Sequence, residues 1–235
     1  MTEKLLKTVV IMAMGVFLFT RLTSNTLLFY INDRFVSLIV LASAGFLVVA
    51  AGYWLRPGVS AGSGRTQVSW AGLLLVSLPV LLGVLVAPRP LGAAALSNRE
   101  VSLSSLTTVT VPESTSTVAP AERNAMDWLI AFRRAADPAE FVGQDVDVVG
   151  FVYRDDRFGS DTFLAGRFIV SCCVADANPI GLIVRTADAS TYADDEWLRV
   201  TGVLELGEFD GESMAIVAAA TIERVDPPSQ PYLYP

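Results

Sequence analysis

The chain has 235 residues, of which 52% are hydrophobic, and a formal net charge of −7. Its mean hydropathy of +0.50 is too high for an ordinary water-soluble domain, so part of the chain is expected in a membrane. It contains no histidine, which excludes the commonest general base, Ser-His-Asp catalytic sites and most zinc-ligand sets.

Charge is divided unevenly along the chain. Residues 1–87 carry six of the 17 Lys and Arg residues and two of the 24 Asp and Glu residues, which leaves 11 basic and 22 acidic side chains for residues 88–235. Because nucleic acids and anionic lipids are bound by basic surfaces, the acidic part is not expected to bind either. The split predicts that the two parts lie in different environments.

Three apolar stretches near the N-terminus approach the roughly 20 residues needed to cross a bilayer. They cover about residues 5–22, 35–55 and 68–87 and predict a transmembrane region over residues 1–90. A cleaved signal peptide is the alternative for the first stretch. The absence of a small-residue cleavage site after Phe19 disfavours that alternative.

We predict the membrane orientation from a weak bias in the distribution of charged residues along the chain. The Arg and Lys residues that flank the three stretches divide equally between the two sides. However, both lysines, Lys4 and Lys7, lie at the N-terminus, and the C-terminal part is acidic. We therefore predict a multi-pass plasma-membrane protein with a cytoplasmic N-terminus and an extracytoplasmic C-terminal domain.

Residues 91–123 are expected to form a linker, because Ser, Thr and Pro dominate most of this range. Asn124, with Asp127 three positions later, has the spacing of a helix start. We expect a short amphipathic helix that ends before Pro138. Four apolar residues recur at the spacing of one face of this helix: Trp128, Leu129, Phe132 and Ala136.

From residue 142 the hydrophobic period changes from 3.6 to 2, which predicts β-strands. The candidate strands are Asp145–Tyr153, Phe163–Val174, Ile180–Arg185, Trp197–Leu206 and Met214–Val225. Gly150 and Gly202 lie in mid-strand, where glycine permits the sharp coiling of a small barrel. The pattern predicts a small all-β, OB-like barrel domain over residues 124–227, with the short helix before its strands. An Ig-like sandwich is the alternative, and residues 228–235 form a Pro-rich tail.

The only two cysteines, Cys172 and Cys173, are adjacent, and Asp176 follows three residues later. Two thiolates and a carboxylate form a partial site for a soft metal ion such as zinc, cadmium, copper(I) or trivalent arsenic. Neighbouring side chains of a regular strand point to opposite faces, so both sulfurs can hold one ion only at a bulge or a strand end. Inert packing and a vicinal disulfide are the alternatives. Without a histidine to activate the thiol, neither a catalytic cysteine nor an enzyme active site is expected.

The run from Arg167 to Gly181, RFIVSCCVADANPIG, resembles the YcgQ-type family of bacterial membrane-anchored predicted permease subunits. The pattern G-x-x-V-x-V-x-G from Gly143 and the pattern W-x-x-V-x-G from Trp197 belong to the same resemblance. Residues 27–35 are similar to the family's first loop. The resemblance implies a partner, a larger multi-span permease, but no established reaction.

Together these features predict a non-catalytic accessory subunit of a bacterial membrane permease. Its spans would pack against the permease in the lipid bilayer, and its barrel would bind a metal ion or small solute through Cys172 and Cys173. One alternative is an envelope redox or metal sensor in which the two thiols cycle with a vicinal disulfide. Another is a structural module that binds a cell-envelope ligand, because a fold of this kind does not determine the ligand.

Overall fold

The structure is a computed structural model that describes residues 2–55, 70–97, 118–135 and 137–235. The chain divides into two compact units, Met1–Arg89 and Pro90–Pro235. Ala136, which we predicted at the end of the short helix, lies outside the described residues, as does most of the predicted linker.

The described part of the first unit contains three apolar helices: α1 (Thr2–Thr23), α2 (Val36–Leu55) and α3 (Trp70–Leu85). Two helical segments, Leu5–Thr23 and Asp33–Leu55, are long and apolar enough to cross a membrane. Helix α3 has 16 residues, fewer than the roughly 20 that a span needs. The start of the predicted third span, residues 68–69, lies outside the described residues.

Polar contacts join α1 to the other two helices. The Ser43 hydroxyl on α2 is buried and donates to the Gly15 carbonyl at 2.9 Å. The Arg21 guanidinium donates to the Gly83 carbonyl and lies 5.0 Å from the centroid of the Phe17 ring. Gly83 belongs to the last turn of α3, where carbonyls lack partners within the helix. Arg21 therefore supplies a donor to that helix end and places a cation near its negative pole.

The described strands of the second unit form one six-stranded sheet in the order β1-β4-β5-β3-β2-β6. The strands are β1 (Asp145–Tyr153), β2 (Thr162–Ile169), β3 (Asn178–Arg185), β4 (Trp197–Phe209), β5 (Glu212–Arg224) and β6 (Tyr232–Leu233). Strand β1 also pairs with β2, so the pairings among the first five strands close a circuit. All of these pairings are antiparallel except that between β3 and β5, which is parallel and joins two residues of each strand.

A first hydrophobic core is built from alternate strand residues and one helix. Helix α5 (Ala125–Arg134) begins as predicted, because Asn124 and Asp127 form a capping box. It buries Trp128 completely in this core. The strands contribute mainly aliphatic side chains, including Val146, Val148, Val152, Ala165, Leu182, Val184, Leu198, Val200, Leu204 and Val217.

A second core lies on the other strand faces, where Phe151 and Leu164 alternate with residues of the first core. A short helix, α4 (Ala93–Ser97), covers it with the buried Leu96. The C-terminal segment covers it with the buried Tyr232 of β6. These elements lie within the ranges expected to be linker and tail, and sequence reasoning missed both.

Hydrogen bonds fasten the two covering segments to the sheet domain. The Asp195 carboxylate accepts from the Ala93 N–H at the start of α4. The Tyr232 hydroxyl accepts from the Leu91 N–H at 2.9 Å, so the segment before α4 is joined directly to β6. The described residues 90–97 thus belong to the same unit as the sheet.

Substitution of two valines on β4 tests which side chains of this strand belong to the first core. Val200 is fully buried, whereas Val203 is 42% exposed. Val200→Ala should lower the free energy of unfolding by about 2 kcal/mol, because two buried methyl groups are lost and a cavity remains. Val203→Ala should change it by less than about 0.5 kcal/mol. Urea unfolding of the full-length protein in detergent, followed by near-UV circular dichroism, measures both; equal effects would contradict the assignment.

Candidate metal centre

Cys172 and Cys173 lie beyond the end of a strand rather than inside it. The predicted strand Phe163–Val174 was too long, since β2 ends at Ile169. A single 3-10 turn, Val174–Asp176, follows the two cysteines directly. The opposed side-chain directions of a regular strand therefore do not apply here. The two Sγ atoms lie 3.7 Å apart, and both thiols are free.

The Asp176 carboxylate organises this loop. One oxygen, Oδ1, accepts from the Ser171 N–H at 2.9 Å. The other, Oδ2, accepts from the N–H groups of Cys172 at 2.7 Å and Cys173 at 3.4 Å. In return, the Asp176 N–H donates to the Cys173 carbonyl at 3.0 Å, and the two residues form a capping box with cysteine as its first residue. We call residues 171–176 the cysteine loop.

The sheet anchors both ends of the cysteine loop. Before it, the Val170 N–H donates to the Leu233 carbonyl of β6 at 3.0 Å. After it, the Asn178 side chain at the start of β3 donates to the Asp176 carbonyl at 2.9 Å, and Ala177 is buried in the second core. The loop geometry is therefore held from β2, β3 and β6 together.

The three residues predicted as metal ligands come together in the structure. One ligand atom from each of Cys172, Cys173 and Asp176 lies within 4.8 Å of the other two. Cys172 is exposed, and the other two residues are half-buried. Sequence reasoning identified the donors but missed the organising role of Asp176. The sequence contains a signal for this role of Asp176, because Cys173 and Asp176 have the spacing of a capping box.

Electrostatics disfavour a free thiolate in the cysteine loop. A hydrogen bond to the Asp176 carboxylate raises the pKa of the Cys172 thiol to about 11. Partial burial would raise the pKa of Asp176, but hydrogen bonds from the Cys172 thiol and from three backbone N–H groups outweigh it and hold that pKa below its usual value. At neutral pH the thiol keeps its proton beside an ionised carboxylate. A metal ion must displace this proton to bind Cys172.

Comparison with known proteins gives a family for this domain. Residues 113–235 match the family model described as the DUF1980 C-terminal domain, which is more than half of the chain. The chain belongs to this family. The resemblance to YcgQ-type proteins that the sequence suggested is thereby confirmed.

Two curated relatives of the DUF1980 domain match over 99 residues, 41% of this chain. The UPF0703 protein YcgQ of Bacillus subtilis is 25% identical over 35% of its own length. A Streptococcus mutans protein named "Putative two-component membrane permease complex subunit" is 28% identical over 36% of its length. The match thus spans about a third of each of these relatives. No solved structure matches the chain significantly.

Removing the carboxylate should activate the Cys172 thiol. In a Cys173→Ser background, Asp176→Asn should raise the rate of iodoacetamide alkylation near pH 8 by about ten-fold or more, because the reagent attacks the thiolate and the thiol pKa falls toward its ordinary value. Without Asp176→Asn, the rate should keep rising with pH beyond the range of an ordinary thiol, because the hydrogen bond to Asp176 is the largest cause of the raised pKa of Cys172. Mass spectrometry over a time course measures both rates.

Asp156→Asn, which removes an exposed carboxylate outside the cysteine loop, is the matched control and should leave the rate unchanged. A rate that levels off near the pH of an ordinary thiol, before any substitution at Asp176, would contradict the assigned role of the carboxylate.

Proposed function

We propose that this protein is a non-enzymatic subunit of a membrane permease complex and that its C-terminal domain binds a soft metal ion through Cys172, Cys173 and Asp176. The observation that carries the proposal is the convergence of two sulfurs and a carboxylate within 4.8 Å on an accessible loop. Soft thiolate donors select ions such as zinc or copper(I) over calcium and magnesium.

A membrane partner is supported by the N-terminal helices and by the relatives. The Streptococcus mutans relative carries the name of a permease complex subunit. Large apolar side chains on α2 and α3 are more than two-thirds exposed, among them Leu41, Val48 and Leu75. Such surfaces suit lipid or another membrane protein. We infer that α3, with the residues beside it, forms a third span and packs with the multi-span permease.

We infer that the C-terminal domain is an OB-like barrel. Strands β1 to β5 pair in a closed circuit, and this circuit supports the barrel shape. In the circuit, β1 pairs with β2 and β2 with β3, a short parallel pairing joins β3 to β5, and β5 pairs with β4, which pairs with β1. An Ig-like sandwich requires two separate sheets, whereas the described strands belong to one. The cysteine loop joins β2 to β3 in this arrangement.

Charge supports a cationic ligand. The part of the chain that contains the DUF1980 domain carries 22 acidic side chains against 11 basic ones. An excess of negative charge raises the local concentration of cations and repels anions. In our proposal the cysteine loop binds a cation. That cation then passes from the domain to the permease, or from the permease to the domain.

Metal content and partner capture test the two halves of the proposal. Full-length protein purified in mild detergent should contain close to one equivalent of a soft metal and should co-purify a multi-span membrane protein. Cys172→Ser/Cys173→Ser should lose the metal, because both thiolate donors are removed, and keep the partner. Ser160→Ala, which alters an exposed side chain outside the cysteine loop, should keep both.

Elemental analysis and mass spectrometry give these results. A wild-type protein without metal whose two thiols are joined as a disulfide would instead support the redox-sensor alternative. Wild-type protein with neither metal nor partner would overturn the proposal.

Membrane orientation has its own test. We propose a cytoplasmic N-terminus and an extracytoplasmic DUF1980 domain. In a Cys172→Ser/Cys173→Ser background, the exposed Ser160 changed to cysteine (Ser160→Cys) should react with a membrane-impermeant maleimide in intact cells. Thr2→Cys in the same background should react only after the cells are permeabilised. The opposite labelling pattern would reverse the orientation.

A further inference from the structure

We propose that the cysteine loop is an open, tetrahedral site for a zinc-type divalent cation, with Cys172, Cys173 and Asp176 as three ligands and the fourth position left for an incoming donor. The inference rests on the proposed function, because it specifies the ion and the coordination at the same site.

The sulfur separation discriminates among possible occupants. Tetrahedral coordination with metal–sulfur bonds of about 2.3 Å places two sulfurs about 3.8 Å apart. A linear two-coordinate ion, the arrangement that suits copper(I), would need about 4.6 Å at the same bond length. A disulfide requires about 2.05 Å. The 3.7 Å between the two free thiols matches the tetrahedral value without movement. A linear ion would require the sulfurs to separate by about 0.9 Å, and a disulfide would require them to approach by about 1.6 Å.

The Asp176 carboxylate can complete the third position without leaving its structural role. A sulfur and an oxygen on one tetrahedral ion lie about 3.6 Å apart for metal–oxygen bonds near 2.1 Å. The three ligand atoms already lie within 4.8 Å of one another, so a shift of about 1 Å closes the site. A side-chain rotation of that size can keep hydrogen bonds from the backbone N–H groups of the cysteine loop.

The ion takes the place of thiol protons. A carboxylate offers about four lone-pair positions, and in the metal-free loop three backbone N–H groups and the Cys172 thiol donate to this one. When the divalent cation binds, both S–H bonds break, two metal–sulfur bonds form and two protons pass to water. Loss of the Cys172 proton frees the lone pair that faces its sulfur, and the cation occupies that space.

The fourth position faces solvent. The chain has no histidine and no third cysteine, and the ligand cluster found in the described residues has three members. Cys172, at its outer edge, is exposed. Structural zinc sites are closed by four protein ligands, whereas sites with three keep a position for water or another molecule. This site therefore holds its ion exchangeably and can pass it to a thiolate, carboxylate or imidazole of a second polypeptide.

Cobalt(II) reports the coordination number and the ligands. Full-length protein in detergent, titrated with cobalt(II) under reducing conditions, should show the strong visible bands of tetrahedral cobalt and sulfur-to-cobalt charge transfer, and one equivalent of zinc should abolish both. Asp176→Asn should keep the charge transfer but weaken cobalt affinity by about ten-fold or more. Asp156→Asn, an exposed carboxylate elsewhere, should behave like wild type.

X-ray absorption of the zinc-loaded wild type measures the coordination number and the ligand types without any variant. We expect two sulfurs near 2.3 Å and two lighter atoms near 2.0 Å. Two sulfurs alone, a copper(I) ion that resists competition by zinc, or an octahedral cobalt spectrum would overturn the tetrahedral site while leaving soft-metal binding intact. Failure to bind any metal would overturn the proposed function as well.

Discussion

The carboxylate of Asp176 is the interaction on which the candidate metal centre depends. It accepts three successive backbone N–H groups and thereby turns the chain sharply between β2 and β3. That turn takes Cys172 and Cys173 out of the strand and brings their sulfurs to 3.7 Å. In a regular strand the same two residues would face opposite sides of the sheet. These three local hydrogen bonds thus favour the loop geometry in which the paired thiols lie together.

Sequence periodicity predicted most of the DUF1980 domain but not its edges. Alternating apolar residues located the first five strands, and the Asn124–Asp127 spacing located the start of α5. The alternation continues past Ile169, which is why the second strand was predicted to reach Val174. The true end reflects competition from the Asp176 side chain for backbone N–H groups. The chemical identity of the three donors was readable from the sequence, whereas their convergence depends on this turn.

The elements that were missed depend on tertiary contacts. Helix α4 has five residues and strand β6 has two, too few for either to show a period. Both are stabilised by the second core, where Leu96 and Tyr232 are buried. Arg167 strengthens the same region: it is buried, which lowers its pKa to about 10, and it donates to the carbonyls of Val149 and Gln230. No local sequence pattern in residues 228–235 predicts the hydrogen bond from Arg167 to the Gln230 carbonyl.

The attachment of residues 90–97 to the sheet has a consequence for proteolysis. Residues 98–117, the greater part of the Ser- and Thr-rich segment, are bounded on both sides by residues of one compact unit, Pro90–Pro235. A single cleavage inside that segment would cut the chain yet leave the buried Leu96 and the bonds to Asp195 and Tyr232 in place. The nicked protein would stay together as two associated fragments. Shedding of the domain from the membrane would require a cut on the N-terminal side of residue 90.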